Sequence, residues 1–329
     1  MTGTKNLLSQ FLCPAKPTIT EEYVPDLKDK VVIVTGSNTG LGKEIARIMY
    51  AKNAKVYMMA RSEDKTRQAM NEIRAAEPKS AGELHFIRLD LADLTTIQAS
   101  ADAFLAREPA LHLLFNNAGV GYPDKGAVTA QGHELQLGVN CVGPWGLTRL
   151  LTPALLAAAA QPEVPSGSVR VVWVSSSATE AVLPKNLMKA VAGNMEAESA
   201  MDRYGFSKLG NYLHAAEFAE RHRADGILSV SLNPGALDSD FWRSQGGVTT
   251  AILRNTLLHP PVYGAYTSLF AAFSSEITAE KSGCFVAPWG QFWNLPKDYV
   301  NAVKTEAEGG TGIARQFWEW TEAQWKPYL

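Results

Sequence analysis

Tyr204 and Lys208 stand four residues apart, so a helix through them presents a phenol and an ammonium on one face. A phenol with a pKa near about 10 is a poor acid–base group at neutral pH, and a neighbouring cation is expected to bring it down. Such a pair can give a proton to an oxygen on which negative charge develops, as a carbonyl requires when its carbon accepts a hydride. Three consecutive hydroxyls, Ser175, Ser176 and Ser177, follow the apolar run Val169-Arg170-Val171-Val172-Trp173-Val174. Alternation along a strand sends neighbouring side chains to opposite faces, so only some of the three can serve one site.

A second chemistry is written in Val31-Val32-Ile33-Val34-Thr35 followed by Gly36-Ser37-Asn38-Thr39-Gly40-Leu41-Gly42. The β-branched run reads as a buried parallel strand, and the glycines let the chain turn sharply into a helix. Backbone N–H groups at that helix start point outward and suit a pyrophosphate. In dinucleotide-binding sheets the next strand ends in an acid that holds the ribose 2′-OH when the ligand is NAD. Here the strand Lys55 to Ala60 ends in Arg61-Ser62, and the first acids, Glu63 and Asp64, belong to the following helix. A guanidinium in that place pairs a 2′-phosphate, which favours NADP(H).

The elements that must hold these residues alternate along the chain. Strands are predicted at 31–35, 55–60, 84–89, 111–115, 169–174, 227–232 and 283–287. Helices are predicted from about Leu41, from Ser62 to Glu77, at 94–107, 135–160, 204–223 and 260–273. Asn53 is expected in the left-handed conformation at the end of the first helix. Strands alternating with helices predict an α/β fold, one doubly wound parallel sheet flanked by helices. The divisions expected are an N-terminal extension over 1–27, a catalytic domain over 28–290 and an aromatic-rich extension over 291–329 packed on that domain.

Composition narrows the rest. The 329 residues carry a formal net charge of −2, which argues against nucleic acid as a partner. Cys13, Cys141 and Cys284 form no paired framework and no histidine pair has metal-ligand spacing, so reduced thiols, a cytoplasmic location and no metal are expected. No apolar run is long enough to span a membrane. The short patch from Leu7 to Leu12 is expected to pack on its own domain or on a partner subunit.

Thr35-Gly36-x-x-x-Gly40-x-Gly42, Asp90, Asn116-Asn117-Ala118-Gly119, Asn140, Ser176, Tyr204-x-x-x-Lys208 and Asn233-Pro234-Gly235 occur in one register. Together they resemble the short-chain dehydrogenases/reductases over about residues 28 to 290, and within them the retinol-dehydrogenase-like branch and its fungal relatives. The resemblance implies a Rossmann fold and an oxidoreductase with four catalytic residues. Tyr204 would be the proton donor, Lys208 would also grip the nicotinamide ribose, Ser176 would polarise the substrate carbonyl, and Asn140 would hold a water relay. It also implies that Asp90 and Leu91 lie near the adenine, that Asn117, Ala118 and Gly119 pass under the adenosine, and that Pro234, Gly235, Leu237 and Ser239 approach the nicotinamide. The long helices near 135–160 and 204–223 resemble those that build dimers in this family, so a homodimer is expected as possible.

Two variable stretches bear on the substrate. Residues 183–203 contain Met188, Met195 and Met201 and could roof the pocket; residues 238–259 contain Phe241, Trp242, Ile252, Leu253, Leu257 and Leu258. Apolar walls suit a lipophilic aldehyde or ketone. Phe317, Trp320 and Trp325 share one face of a terminal helix, which would close the pocket or meet another subunit. The reading is an NADPH-dependent carbonyl reductase or alcohol dehydrogenase, set against two alternatives: an NADP-binding sensor or interaction protein, and a non-redox enzyme on the same fold.

Overall fold

The computed structural model of the chain describes Gln10 and residues 16–238 and 258–328. Eight strands form one sheet in the order β3-β2-β1-β4-β5-β6-β7-β8. They are β1 (Val31–Thr35), β2 (Lys55–Ala60), β3 (Glu83–Arg88), β4 (Leu113–Asn116), β5 (Arg170–Val174), β6 (Leu228–Leu232), β7 (Phe285–Ala287) and β8 (Gln291–Phe292). All pair in parallel except β8, which runs antiparallel to β7 with Val286 opposite Phe292. That two-residue strand is absent from the sequence reading, because so short a run has no period to detect. The order reverses between β1 and β4, which opens a crevice at the carboxyl ends of these strands.

Side chains alternate across the sheet into two apolar layers. Val31, Ile33, Tyr57, Met59, Val171 and Trp173 enter one layer; Val32, Val34, Val56, Met58, Val172 and Val174 enter the other. The second layer is covered by α1 (Gly40–Ala51) and α2 (Glu63–Ala76). The first is covered by α3 (Leu94–Leu105), α4 (Gly143–Ala159), α5 (Pro184–Ala192) and α6 (Ala200–Arg221). Then α7 (Pro261–Phe273) joins the second layer, while α8 (Lys297–Val303) and α9 (Ile313–Trp325) join the first. Ser62 caps α2 by accepting from the Lys65 N–H, and Asn53 has φ 69°. Among the described residues no helix is long and apolar enough to cross a membrane.

The helix expected over 135–160 is not uniform. A turn at Leu135–Leu137 widens into a π-helical turn, Gly138–Val142, before α4 begins. Pro144 has no N–H to give the Asn140 carbonyl, so the i→i−4 ladder breaks there. Gly143 instead donates to Gly138, five residues back.

The aromatic tail packs on its own chain. Phe317 and Trp325 are fully buried, the Trp325 indole N–H donates to the Val142 carbonyl at 2.7 Å, and Trp318 meets Trp145 edge to face. These contacts place α9 on α4 and α6, the helices whose counterparts build dimers in the family they resemble, and away from the crevice. Met188 and Met195 likewise pack into the core below α9; only Met201 of the three methionines reaches the crevice.

Two buried imidazoles set an acid limit on stability. The His112 Nδ1 accepts from the Val31 N–H, and His214 lies between Trp173 and Phe317 with Nε2 hydrogen-bonded to the Thr321 hydroxyl. Burial pulls the two down to about 4 and about 3. The unfolded chain takes up protons near pH 6.5 that the folded chain refuses, so stability falls as pH drops from there toward about 4. Each imidazole should cost about 1.4 kcal/mol per pH unit in that window. A thermal midpoint that does not move between pH 7 and pH 5 would contradict this.

Candidate active site

Thr35 and Asn117 shape the base of the crevice. The Thr35 hydroxyl donates to the Phe115 carbonyl and accepts the N–H groups of Asn117 and Ala118, while the Asn117 amide donates to the Thr35 carbonyl at 2.8 Å. This knot locks the ends of β1 and β4 together. Gly36, at φ +64°, lies so close to Ala118 that a Cβ would come within 2.8 Å of its Cα. A Cβ on Gly42 would fall 2.5 Å from Asn117 Nδ2. Neither position accepts a larger residue without breaking the turn.

Above this base lies a cleft of about 930 Å³ lined by Gly36, Asn38, Thr39, Gly40, Leu41 and Gly42 at its centre. Ser37 is the exception in the turn: it is fully buried, and its hydroxyl has no partner among the described residues. At one end of the cleft stand Arg61, Ser62, Lys65, Asp90 and Leu91. Arg61 and Lys65 have no ion-pair partner among the described residues, while Glu63 is engaged by Arg67. The sequence reading omitted Lys65, although its place one helical turn beyond Arg61 was the signal. Asp90 accepts the Ala92 N–H at 3.0 Å, which holds its carboxylate at the rim.

At the other end Ser176, Tyr204 and Lys208 converge. The Ser176 and Tyr204 hydroxyls are hydrogen-bonded to each other, and Ser176 also accepts from the Ala178 N–H. Ser175 is spent on structure, donating to the Lys208 carbonyl at 2.7 Å, and Ser177 is buried. Lys208 donates to the Val174 carbonyl at 2.9 Å, with its Nζ 5.8 Å from the centre of the Tyr204 ring.

The electrostatics depart from the sequence expectation. Burial pushes the Tyr204 phenol up, with the Ser176 hydrogen bond opposing it, and burial pulls Lys208 down to about 8. Removal of both groups from water outweighs the attraction between them at this distance.

Asn140 stands behind the cleft in the π-turn. Its amide donates to the Val120 carbonyl and the Ser207 hydroxyl, both at 2.9 Å, and its Oδ1 accepts the Val120 N–H at 2.8 Å. A Cβ on Gly119 would lie 3.1 Å from Asn140 Oδ1 and 3.3 Å from Lys208 Nζ, so bare backbone separates the two. Arg203, just ahead of Tyr204, forms a buried ion pair with Glu134 at 3.3 Å and ties α6 to the segment leading to Asn140.

The walls of the reacting end join residues the sequence pointed to, Met201, Pro234, Gly235 and Leu237, with three it did not, Tyr122, Ala178 and Ala181. Tyr122 has φ 50°, lies with its ring tilted by 33° and 5.4 Å from that of Tyr204, and donates its hydroxyl to the Met201 sulfur at 3.2 Å. Ala178 and Ala181 line the cleft from the turn after Ser176, and Leu237 faces it beside Pro234 and Gly235. Ser239, Phe241, Trp242, Ile252, Leu253 and Leu257 lie outside the described residues.

Known proteins place the chain in a family. A family model described as short chain dehydrogenase matches residues 30–247. The chain is 48% identical over 99% of its length to a short-chain dehydrogenase/reductase of Phomopsis amygdali, 98% of which is covered. It is 46% identical over 96% of its length to another from Neocamarosporium betae, 92% of which is covered. Among solved structures, a protein of Mycobacterium paratuberculosis superposes with a TM-score of 0.64 at 25% identity, over 92% of this chain and 97% of that one. The parallel sheet with its crevice, the glycine turn locked by Thr35 and Asn117, and these likenesses agree: the chain belongs to the short-chain dehydrogenase/reductase family of Rossmann-fold oxidoreductases.

Proposed function

We propose that the protein is an NADPH-dependent carbonyl reductase of lipophilic ketones or aldehydes, able to run the alcohol oxidation in reverse, with Tyr204 as proton donor. The observation that carries this reading is one cleft with two cations, Arg61 and Lys65, that have no carboxylate partner among the described residues at one end, and Ser176, Tyr204 and Lys208 between apolar walls at the other.

The residues present fit the cofactor. The N-terminus of α1 has no acidic residue in its first turn, and its Gly40, Leu41 and Gly42 line the cleft. It would hold the pyrophosphate through backbone N–H groups. Arg61, with Ser62 and Lys65, would hold the 2′-phosphate; Asp90 and Leu91 would flank the adenine. Asn117, Ala118 and Gly119 would pass beneath the adenosine, and Pro234, Gly235, Leu237 and Ser239 would meet the nicotinamide. The bare backbone of Gly119 beside Lys208 leaves room for a sugar in reach of that ammonium.

When bound, NADPH supplies the hydride to the carbonyl carbon. Ser176 donates a hydrogen bond to the carbonyl oxygen, and Tyr204 transfers its proton there as charge develops. Burial keeps Tyr204 a neutral phenol, the form that gives a proton, which favours reduction. Lys208, still cationic at neutral pH with its pKa near 8, stabilises the phenolate left behind. Asn140 serves reprotonation through its carbonyl, from which Pro144 withholds an N–H. Tyr122, Met201, Ala178 and Ala181 offer the substrate apolar surface and no charge.

Oxidation of NADPH with a panel of hydrophobic ketones and aldehydes tests the reading directly. For the cofactor, Arg61→Ala should weaken NADPH binding about ten- to hundred-fold, since a hydrogen-bonded charge pair contributes about 1.5–3 kcal/mol. NADH binding should stay within about twofold, because the two cofactors differ only in the phosphate that Arg61 faces. Titration calorimetry with both cofactors decides; an unchanged preference would remove the 2′-phosphate from this end.

A further inference from the structure

Gln10 lies far ahead of the family-matched region, yet it is only 4% exposed. Its carboxamide touches two segments at once. The Nε2 donates to Glu180 Oε1 at 3.0 Å, and its Oε1 accepts from Asn233 Nδ2 at 2.8 Å. Glu180 Oε1 also accepts the Trp293 indole N–H at 2.9 Å, and Asn233 Oδ1 accepts the Gly235 N–H at 3.1 Å. Each partner therefore fixes which end of the Gln10 amide faces it: a carboxylate can only accept, and the Asn233 oxygen is already engaged.

The two segments are the opposite walls of the reacting end. Glu180 belongs to the short helix Ser177–Ala181 that follows Ser176 and places Ala178 and Ala181 on the cleft. Asn233 itself lines the cleft and leads directly into Pro234 and Gly235. Gln10 does not line the cleft; it stands behind both walls and joins them. Burial raises the Glu180 carboxyl, and its described partners are the neutral donors Gln10 and Trp293, with no ion-pair partner among the described residues.

We propose that Gln10 is a positioning residue for the substrate end of the site, setting the separation between the Ser176 helix and the loop after β6. The inference rests on the reductase reading above. It predicts a change in how tightly a bulky carbonyl is held, with little change in the proton and hydride steps, because Tyr204 and Lys208 are positioned by α6.

The test uses the full-length protein, NADPH and 1-tetralone, with octanal as a slim comparison substrate. Gln10→Glu sets a carboxylate against Glu180 and should raise KM for 1-tetralone about tenfold, leaving kcat within about threefold. NADPH affinity should be unchanged. The double variant Gln10→Glu with Glu180→Gln exchanges amide and carboxylate, restoring a hydrogen bond between positions 10 and 180 and keeping the one from Asn233. The indole N–H of Trp293, which shares Glu180 Oε1 with Gln10, must find the other end of the new amide, and KM should return to within about threefold of the parent. Gln10→Ala removes the link without adding charge and should raise KM less, with a thermal midpoint close to the parent's. A KM that does not move in Gln10→Glu, or moves equally in the double variant, overturns the proposal while leaving the reductase reading intact. No NADPH oxidation by the parent protein with either carbonyl overturns both.

Discussion

Replacing Tyr204 by Phe should lower kcat by about 10²- to 10⁴-fold while leaving NADPH affinity and the melting temperature close to the parent's, the range that removal of a general acid produces. The phenol is buried between Ser176 and Tyr122 and is bonded to Ser176, so it is the proton nearest a carbonyl polarised there. Phenylalanine preserves the ring that packs against Tyr122 and deletes only the hydroxyl. Ser176 keeps its bond from the Ala178 N–H, so the turn after β5 should hold its shape. Single-turnover kinetics on NADPH-loaded protein separate the chemical step from binding. Turnover within about tenfold of the parent would mean that another group gives the proton.

Trp325→Ala should be the most damaging single change outside the cleft, destabilising the protein by about 3–5 kcal/mol, as expected when a buried indole is truncated. The side chain is fully buried against Gly146, where a Cβ would overlap the indole, and its N–H donates to the Val142 carbonyl at 2.7 Å. That carbonyl belongs to the π-turn that carries Asn140, so the deletion also removes a buried hydrogen bond from that turn. At about 2–4 °C per kcal/mol, the thermal midpoint should fall by roughly 10 °C. Trp325→Phe keeps most of the volume and loses only the donor, and should cost about 1–3 kcal/mol. A midpoint within about 2 °C of the parent's for Trp325→Ala would show that α9 is not needed to hold the turn.

Much of the frame was legible because local patterns dictate it. The β-branched run at Val31–Thr35 can only be a buried strand, Lys55–Ala60 falls where the apolar run places it, and Ser62 caps the helix it precedes. The strand end and the i,i+4 pair placed a hydroxyl and the Tyr204–Lys208 pair, while the family resemblance singled out Ser176 and its meeting with them, and the three line one cleft. What the sequence did not show depends on contacts between distant segments. Nothing near Gln10 announces Asn233, since a single carboxamide has no periodicity. The aromatic face of α9 was visible, but its partner was not, because Gly146 and Gly210 read as neutral helix residues until an aromatic ring fills the space they leave. The π-turn had a local cue in Pro144, but a proline near a helix start does not say whether the turn before it tightens or widens. The expected drop in the Tyr204 pKa failed for a different reason: spacing along a helix gives direction but not depth of burial.

Gly146 on α4 and Gly210 on α6 form two notches, and the chain's own Trp325 and Phe317 sit in them, a Cβ on Gly210 falling 2.8 Å from the Phe317 ring. The consequence is one of competition. Where the family's dimers would dock helix on helix, this chain supplies an internal occupant tethered at high effective concentration, and a second copy could use that face only by first displacing it.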